Sequence, residues 1–153
     1  MVSLVRLKNT YLILVTSICF HFTSCAQEAH DIQVAASQTE LYTHLLKGKN
    51  IGIVANQTST IHDTHLVDSL LYLGLSVQKV FAPEHGFRGK SDAGELVKDG
   101  IDTATNLPII SLYGKNKKPS AKQLENIDII LFDIQDVGAR FYTYISSLHY
   151  VME

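Results

Sequence analysis

Residues 80–95 read Val-Phe-Ala-Pro-Glu-His-Gly-Phe-Arg-Gly-Lys-Ser-Asp-Ala-Gly-Glu, the densest run in the chain of side chains able to do chemistry. Glu84, His85, Arg88, Asp92 and Glu95 fall close together, threaded by Gly86, Gly89 and Gly94. Such glycines let a backbone take positive φ and approach a ligand closely. A glutamate beside a histidine and an arginine is the usual material of acid–base catalysis. Taken alone, a solvated glycine-rich surface loop explains the stretch equally well. The balance shifts because other apolar segments end in similar equipment. Asn56-Gln57 follows one, Tyr113-Gly114 another, and Asp133, Gln135 and Asp136 a third, with Arg140 and Tyr142 just beyond.

Several chemistries fail on spacing. No Gly-x-Gly-x-x-Gly follows the first apolar segment, where Asn56-Gln57-Thr58-Ser59 stands instead, so no dinucleotide cofactor is expected. Gly89-Lys90-Ser91 lacks the upstream glycine of a phosphate loop. No Gly-x-Ser-x-Gly elbow marks a serine hydrolase. His62 and His65 have i, i+3 spacing but no third ligand nearby, and they open a helical segment. They read as surface or helix-capping residues, and no metal is expected.

Carboxylates remain: Glu84, Asp92, Glu95, Asp133 and Asp136. Sugar hydrolysis needs one carboxylic acid and a second group acting as base or nucleophile. Glu84 is the best acid, because it leaves an apolar segment and desolvation favours the protonated form of a carboxyl. Asp133 and Asp136 are candidates for the second role, against the ordinary alternative that such residues cap the next helix. Arg140 suits an ion pair with Asp136 as well as it suits a substrate. Tyr113 and Tyr142 suit stacking on, or bonding to, a sugar, whereas Tyr144 reads better as core.

These residues need elements to hold them. Helices are expected over 39–47, 64–73, 121–125 and 141–153, and strands over 50–55, 75–81, 107–113 and 127–134. Leu41, Leu45 and Leu46 form the apolar face of the first helix, and Tyr144, Leu148 and Val151 or Met152 that of the last. Alternating strands and helices imply a parallel sheet covered on both faces, an α/β, Rossmann-like architecture. Ligands of such sheets bind beyond the carboxyl ends of the strands. The residues named above gather at those ends, while the opposite ends offer only Lys49-Asn50, Ser76 and Asn126.

At 153 residues, 46% hydrophobic and 18% charged, the chain has enough apolar material for one globular domain. A net charge of -2 with dispersed basic residues gives no footprint for nucleic acid. The N-terminus differs in kind. Arg6 and Lys8 precede an apolar run over 11–22, and Thr23-Ser24-Cys25 follows. This is the order of an export signal, too short to span a bilayer. Ser24-Cys25 resembles a lipobox, so residues 1–24 are expected to be removed and Cys25 lipidated. Residues 25–38 then form a tether, 39–153 the domain, and the protein is exported to the periplasm or cell surface on a lipid anchor. Cys19 would leave with the signal, and no disulfide is expected.

Five motifs in order carry a resemblance to a known family. They are Ile-Gly-Ile-Val-Ala-Asn-Gln-Thr at 51–58, Phe-Ala-Pro-Glu-His-Gly-Phe-Arg-Gly at 81–89, Ala-Gly-Glu at 93–95, Leu-Pro-Ile-Ile-Ser-Leu-Tyr-Gly at 107–114 and Phe-Asp-Ile-Gln-Asp-Val-Gly-Ala-Arg-Phe-Tyr-Thr-Tyr at 132–144. From about Lys47 onward the chain resembles the NamZ-type exo-β-N-acetylmuramidases, secreted glycosidases that release N-acetylmuramic acid from the non-reducing ends of peptidoglycan fragments. The resemblance implies a Rossmann-like catalytic domain with an auxiliary domain after it, and a chain stopping here would be cut before the second half. It places the family's Pro-Glu-His-Gly on Pro83 to Gly86, making Glu84 catalytic with His85 beside it. It also implies muropeptide substrates, with Asn56, Gln57, Arg88, Glu95, Tyr113, Gln135, Arg140 and Tyr142 as candidate ligands. Where the family has Thr-Gly-Leu-Pro, this chain has Asn106, the next-best residue for a left-handed turn. Two other classes compete: a catalytically silent muropeptide-binding lipoprotein, and a phosphate- or nucleotide-sugar-binding α/β domain.

Overall fold

The chain alternates apolar segments with amphipathic ones, and the computed structural model, which describes residues 32–89 and 97–153, turns that alternation into layers. After a single 3₁₀ turn at Ala35–Ser37 come α1 (Thr39–Leu46), β1 (Ile51–Ala55), β2 (Thr60–Ile61), β3 (Thr64–His65) and α2 (Leu66–Tyr72). Then follow β4 (Val77–Ala82), β5 (Gly100–Ile101), β6 (Pro108–Ser111), α3 (Ala121–Leu124), β7 (Ile129–Asp133) and α4 (Tyr144–Met152).

A five-stranded sheet has the order β5-β6-β4-β1-β7. β1 pairs in parallel with β4 and β7, β4 pairs in parallel with β6, and β5 joins the β6 edge antiparallel. The chain therefore steps outward from β1 to β4 to β6, then returns to the far side of β1 for β7. The winding reverses between β1 and β7, the point where open α/β sheets form a crevice at the carboxyl ends of their strands.

Period-two alternation sends each strand's side chains to both faces. Ile51, Ile53, Val80, Ala82, Ile129 and Leu131 join Leu46 of α1 and Leu66 and Leu70 of α2 in one core. Val54, Phe81, Ile130 and Phe132 join Leu124 of α3 and Val151 of α4 on the other face. β1 is buried throughout. At Gly52 a Cβ would lie 2.7 Å from Ile130 Cδ1 and 3.0 Å from the Phe81 ring, so a side chain there has to displace both neighbours.

Several expected boundaries shift. α2 starts at Leu66 because the His65 side chain caps it, accepting from Val67 N. Thr64 and His65 instead pair antiparallel with Thr60 and Ile61 through a turn holding His62 at φ 51°. α4 begins at Tyr144, leaving Phe141 95% exposed. On α1 only Leu46 is buried, while Leu41 and Leu45 face solvent. The 3₁₀ turn falls within the stretch expected as a tether, yet Ala36 packs on the core and its carbonyl accepts from the Tyr42 hydroxyl at 2.7 Å. Asn106 takes the left-handed φ of 60° that its place in the motif implied. Residues 1–24 and Cys25 lie outside the described residues, as do Asp92 and Glu95. No helix among the described residues is long and apolar enough to cross a membrane.

Candidate active site

Glu84 leaves β4 in a turn closed by Gly86 N donating to Pro83 O at 3.0 Å. His85, the third residue of that turn, has φ 69° and Gly86 has φ 77°. A turn with positive φ at its third position favours glycine there, and a histidine is held in it at some cost. Glu84 is half-buried, and its Oε1 accepts a hydrogen bond of 3.1 Å from the Tyr113 hydroxyl, just past β6. That bond raises the Tyr113 pKa. Glu84 lines a cavity of about 150 Å³ with Leu112, Tyr113, Thr143, Ser147 and Tyr150, so α4 forms its second wall.

Beyond the turn, Phe87 is buried edge-on against His65, with ring centroids 4.6 Å apart. The Arg88 guanidinium lies 4.7 Å over the Phe87 ring and is gripped by two carboxylates. Nη1 and Nη2 donate to Asp68 at 2.9 Å each, and Nε and Nη2 donate to Asp102 at 2.8 and 2.7 Å. These bonds hold the Asp102 carboxyl down to about 2 and push the Arg88 pKa further up. In this structure Arg88, expected among the substrate ligands, is held by these two carboxylates. Gly89, at φ 65°, packs on Gln57, where an added Cβ would come within 2.9 Å of the Gln57 Cβ.

The end of β1 is tied down as firmly. Asn56 is fully buried, and its Oδ1 accepts from Thr58 N at 2.9 Å and Thr58 Oγ1 at 2.7 Å. Its carbonyl accepts from His65 Nε2 at 3.0 Å. Ser59 Oγ accepts from Asn56 N and donates to the Asp133 carbonyl, and Thr58 Oγ1 accepts from Gln135 N at 3.1 Å. The β1 and β7 ends are thereby stitched together at the crevice. Asn56 Nδ2 is buried and completes no hydrogen bond. Its side chain nevertheless acts on the buried Tyr144 hydroxyl: burial raises the Tyr144 pKa, Asn56 opposes that rise and the Glu84 charge adds to it. Asn56, Glu84, Tyr113 and Tyr144 therefore share one neighbourhood.

Asp133 belongs to another. It lines a separate cavity of about 230 Å³ with Ala35, Ala36, Tyr42, Leu66, Leu131 and Phe132. Its Oδ2 is buried without a hydrogen bond, and desolvation raises its pKa. The structure thus does not bring Asp133 into the Glu84 cavity. Gln135, Asp136, Arg140 and Tyr142 follow β7 on an exposed loop, with the Tyr142 ring 6.3 Å from that of Tyr144. Among the described residues no ion pair joins Asp136 to Arg140. Sequence reasoning missed Asp68, Asp102 and His65 as supports of the site. Spacing gave no signal for the first two, since both lie far from Arg88 along the chain, whereas His65 showed only as a cap.

A model of the N-terminal part of the exo-β-N-acetylmuramidase NamZ family matches residues 51–153. The chain is 46% identical over 114 residues to the peptidoglycan β-N-acetylmuramidase NamZ of Bacillus subtilis (strain 168), across 73% of this chain and 28% of that relative. Two solved DUF1343 family proteins of Bacteroides fragilis NCTC 9343 are similar, each with a TM-score of 0.64. One is 43% identical over 76% of this chain and 29% of its own, the other 35% identical over 72% and 28%. The chain thus spans well under half the length of the proteins it matches.

Proposed function

Because this chain belongs to the exo-β-N-acetylmuramidase NamZ family, we propose that the whole protein is a glycosidase that removes N-acetylmuramic acid from the non-reducing ends of peptidoglycan fragments. The observation that carries this reading is Glu84, half-buried beside a cavity at the carboxyl edge of the sheet and held through one oxygen by Tyr113. The Tyr113 hydroxyl, donating to Oε1, fixes the carboxyl at the cavity wall, where a glycosidic oxygen would meet it. Asn56, buried at the end of β1 and acting on the Tyr144 hydroxyl, is proposed to shape the sugar site from below. Asp133 lines a separate cavity, which favours Asp136 of the two aspartates as the second group. Gln57, Arg88, Glu95, Gln135, Arg140 and Tyr142 remain proposed ligands of the muropeptide. Proton donation of this kind contributes roughly 10²–10⁴-fold in rate. In the full-length protein, Glu84→Gln is expected to lower kcat on a chromogenic N-acetylmuramide by about that factor, with KM and melting temperature little changed. Turnover near that of the wild type would end the assignment.

The same reading takes the protein to the cell envelope. Residues 1–24 act as an export signal and Cys25 as the lipidated mature N-terminus, anchored by more than one acyl chain, since one holds only marginally. Mass spectrometry of membrane-extracted protein is expected to find an acylated Cys25 as its first residue. An unmodified N-terminus further along would contradict it.

A further inference from the structure

Among the described residues the hydrogen bonds of Arg88 run to Asp68 and Asp102, four charge-assisted bonds on one guanidinium. It is clamped from two sides: Asp68, in the first turn of α2, and Asp102, which follows the edge strand β5. The clamp joins two elements far apart in sequence to one loop. We infer that Asp68 and Asp102 are positioning residues, acting through Arg88 to set the loop that presents Glu84; the inference rests on the reading of Glu84 as the acid.

The loop is short and held at both ends. At its start, Ala82 O accepts from Leu112 N at 2.8 Å, and Pro83 is fully buried. At its end, Arg88 is fixed by paired carboxylates in the bidentate geometry that adds direction to charge. Between these anchors lie only Glu84, His85, Gly86 and the buried Phe87. The turn they form places His85 at φ 69°, a conformation that such anchors can impose on a residue other than glycine. Releasing one anchor would let the turn relax and move Glu84 relative to Tyr113. Misplacement of a reacting group by about 1 Å can cost on the order of 10²-fold in rate.

Asp102 has a second duty that makes a control possible. Its Oδ2 also accepts from Thr105 N at 3.1 Å and from Thr105 Oγ1 at 2.7 Å, closing the turn before β6. Thr105→Val disturbs that turn and leaves both Arg88 pairs in place. Asp68→Asn weakens one Arg88 pair and leaves the turn in place.

The test compares full-length wild type, Asp68→Asn, Asp102→Asn, Thr105→Val and the conservative Asp68→Glu. Hydrogen exchange followed by mass spectrometry reads the peptide covering 83–89, and steady-state kinetics reads turnover of an N-acetylmuramide. Asp68→Asn and Asp102→Asn are expected to exchange several-fold faster over 83–89 and to lose about tenfold in kcat with KM unchanged. Thr105→Val should lower melting temperature while keeping kcat, and Asp68→Glu should recover part of the lost rate. Unchanged exchange in Asp68→Asn overturns the clamp whatever the kinetics show, and keeps it decidable if Asp102→Asn fails to fold. Faster exchange with wild-type kcat also overturns it, by reducing the pairs to ordinary stabilisation. Absence of turnover in the wild type would refute the glycosidase reading, and with it the positioning of an acid, whichever way exchange came out.

Discussion

His65 shows how much one side chain can be asked to hold. Its Nδ1 accepts from Val67 N to cap α2, its Nε2 donates to the Asn56 carbonyl, and its ring meets Phe87 edge-on. Only the neutral tautomer with the proton on Nε2 can do all of this, because imidazolium has no acceptor for Val67 N. Burial lowers its pKa, the hydrogen bond to Asn56 opposes this and the nearby Arg88 charge adds to it. The unfolded chain takes up the proton near pH 6.5. Below that pH the unfolded state binds more protons than the folded one, so stability falls as pH drops from about 6.5 towards the lowered folded pKa. Wild-type protein should therefore lose melting temperature between pH 7.5 and 5. His65→Gln, which keeps a donor for Asn56 but does not titrate, should be less stable at pH 7.5 and lose less over the same range. Equal losses in both proteins would show that His65 does not carry the dependence.

At the scale of elements, β1 leaves little tolerance. A methyl at Gly52 would meet the Ile130 side chain of β7 and the Phe81 ring of β4, so it presses on both flanking strands. Overpacking of this kind costs about 1–3 kcal/mol. Gly52→Ala is expected to lower the denaturant midpoint by a corresponding amount, and an unchanged midpoint would mean that the sheet absorbs the methyl freely. The principal strands were legible because their apolar runs are bounded by turn residues. α3 is closed at its start by a capping box in which Ser120 and Gln123 exchange hydrogen bonds, with serine directly before the helix as such boxes require. The hairpin of β2 and β3 and the edge strand β5 were not legible, since two-residue strands are too short to show alternation. Glu84 and Tyr113 could be placed at one sheet edge from strand ends alone. The separation of Asp133 from Glu84 could not, because which way a strand-end residue points depends on register, and one residue decides the face.

For the whole molecule, the decisive feature is the β7 edge. Among the described residues β7 has β1 as its one neighbour, and all five of its residues are only half-buried. It reads Ile-Ile-Leu-Phe-Asp, with no lysine, proline or bulge to discourage pairing. Its one charged residue, Asp133, has a pKa raised by burial, which weakens even that deterrent. Further along the chain Val137, Phe141 and Ile145 are exposed, as is Met152 at the end of α4. An apolar edge strand presents unpaired N–H and C=O groups that template pairing with another chain. A polypeptide of residues 33–153 alone is therefore expected to self-associate with rising concentration and to melt broadly. The relatives extend well beyond the matched region, and a polypeptide of their length is expected to be monomeric with a sharper, higher transition. Sedimentation velocity over a range of concentrations, paired with calorimetry on both polypeptides, decides it. A monomeric, cooperatively melting 33–153 would show that β7 closes the sheet adequately by itself, and that its half-buried face is ordinary surface.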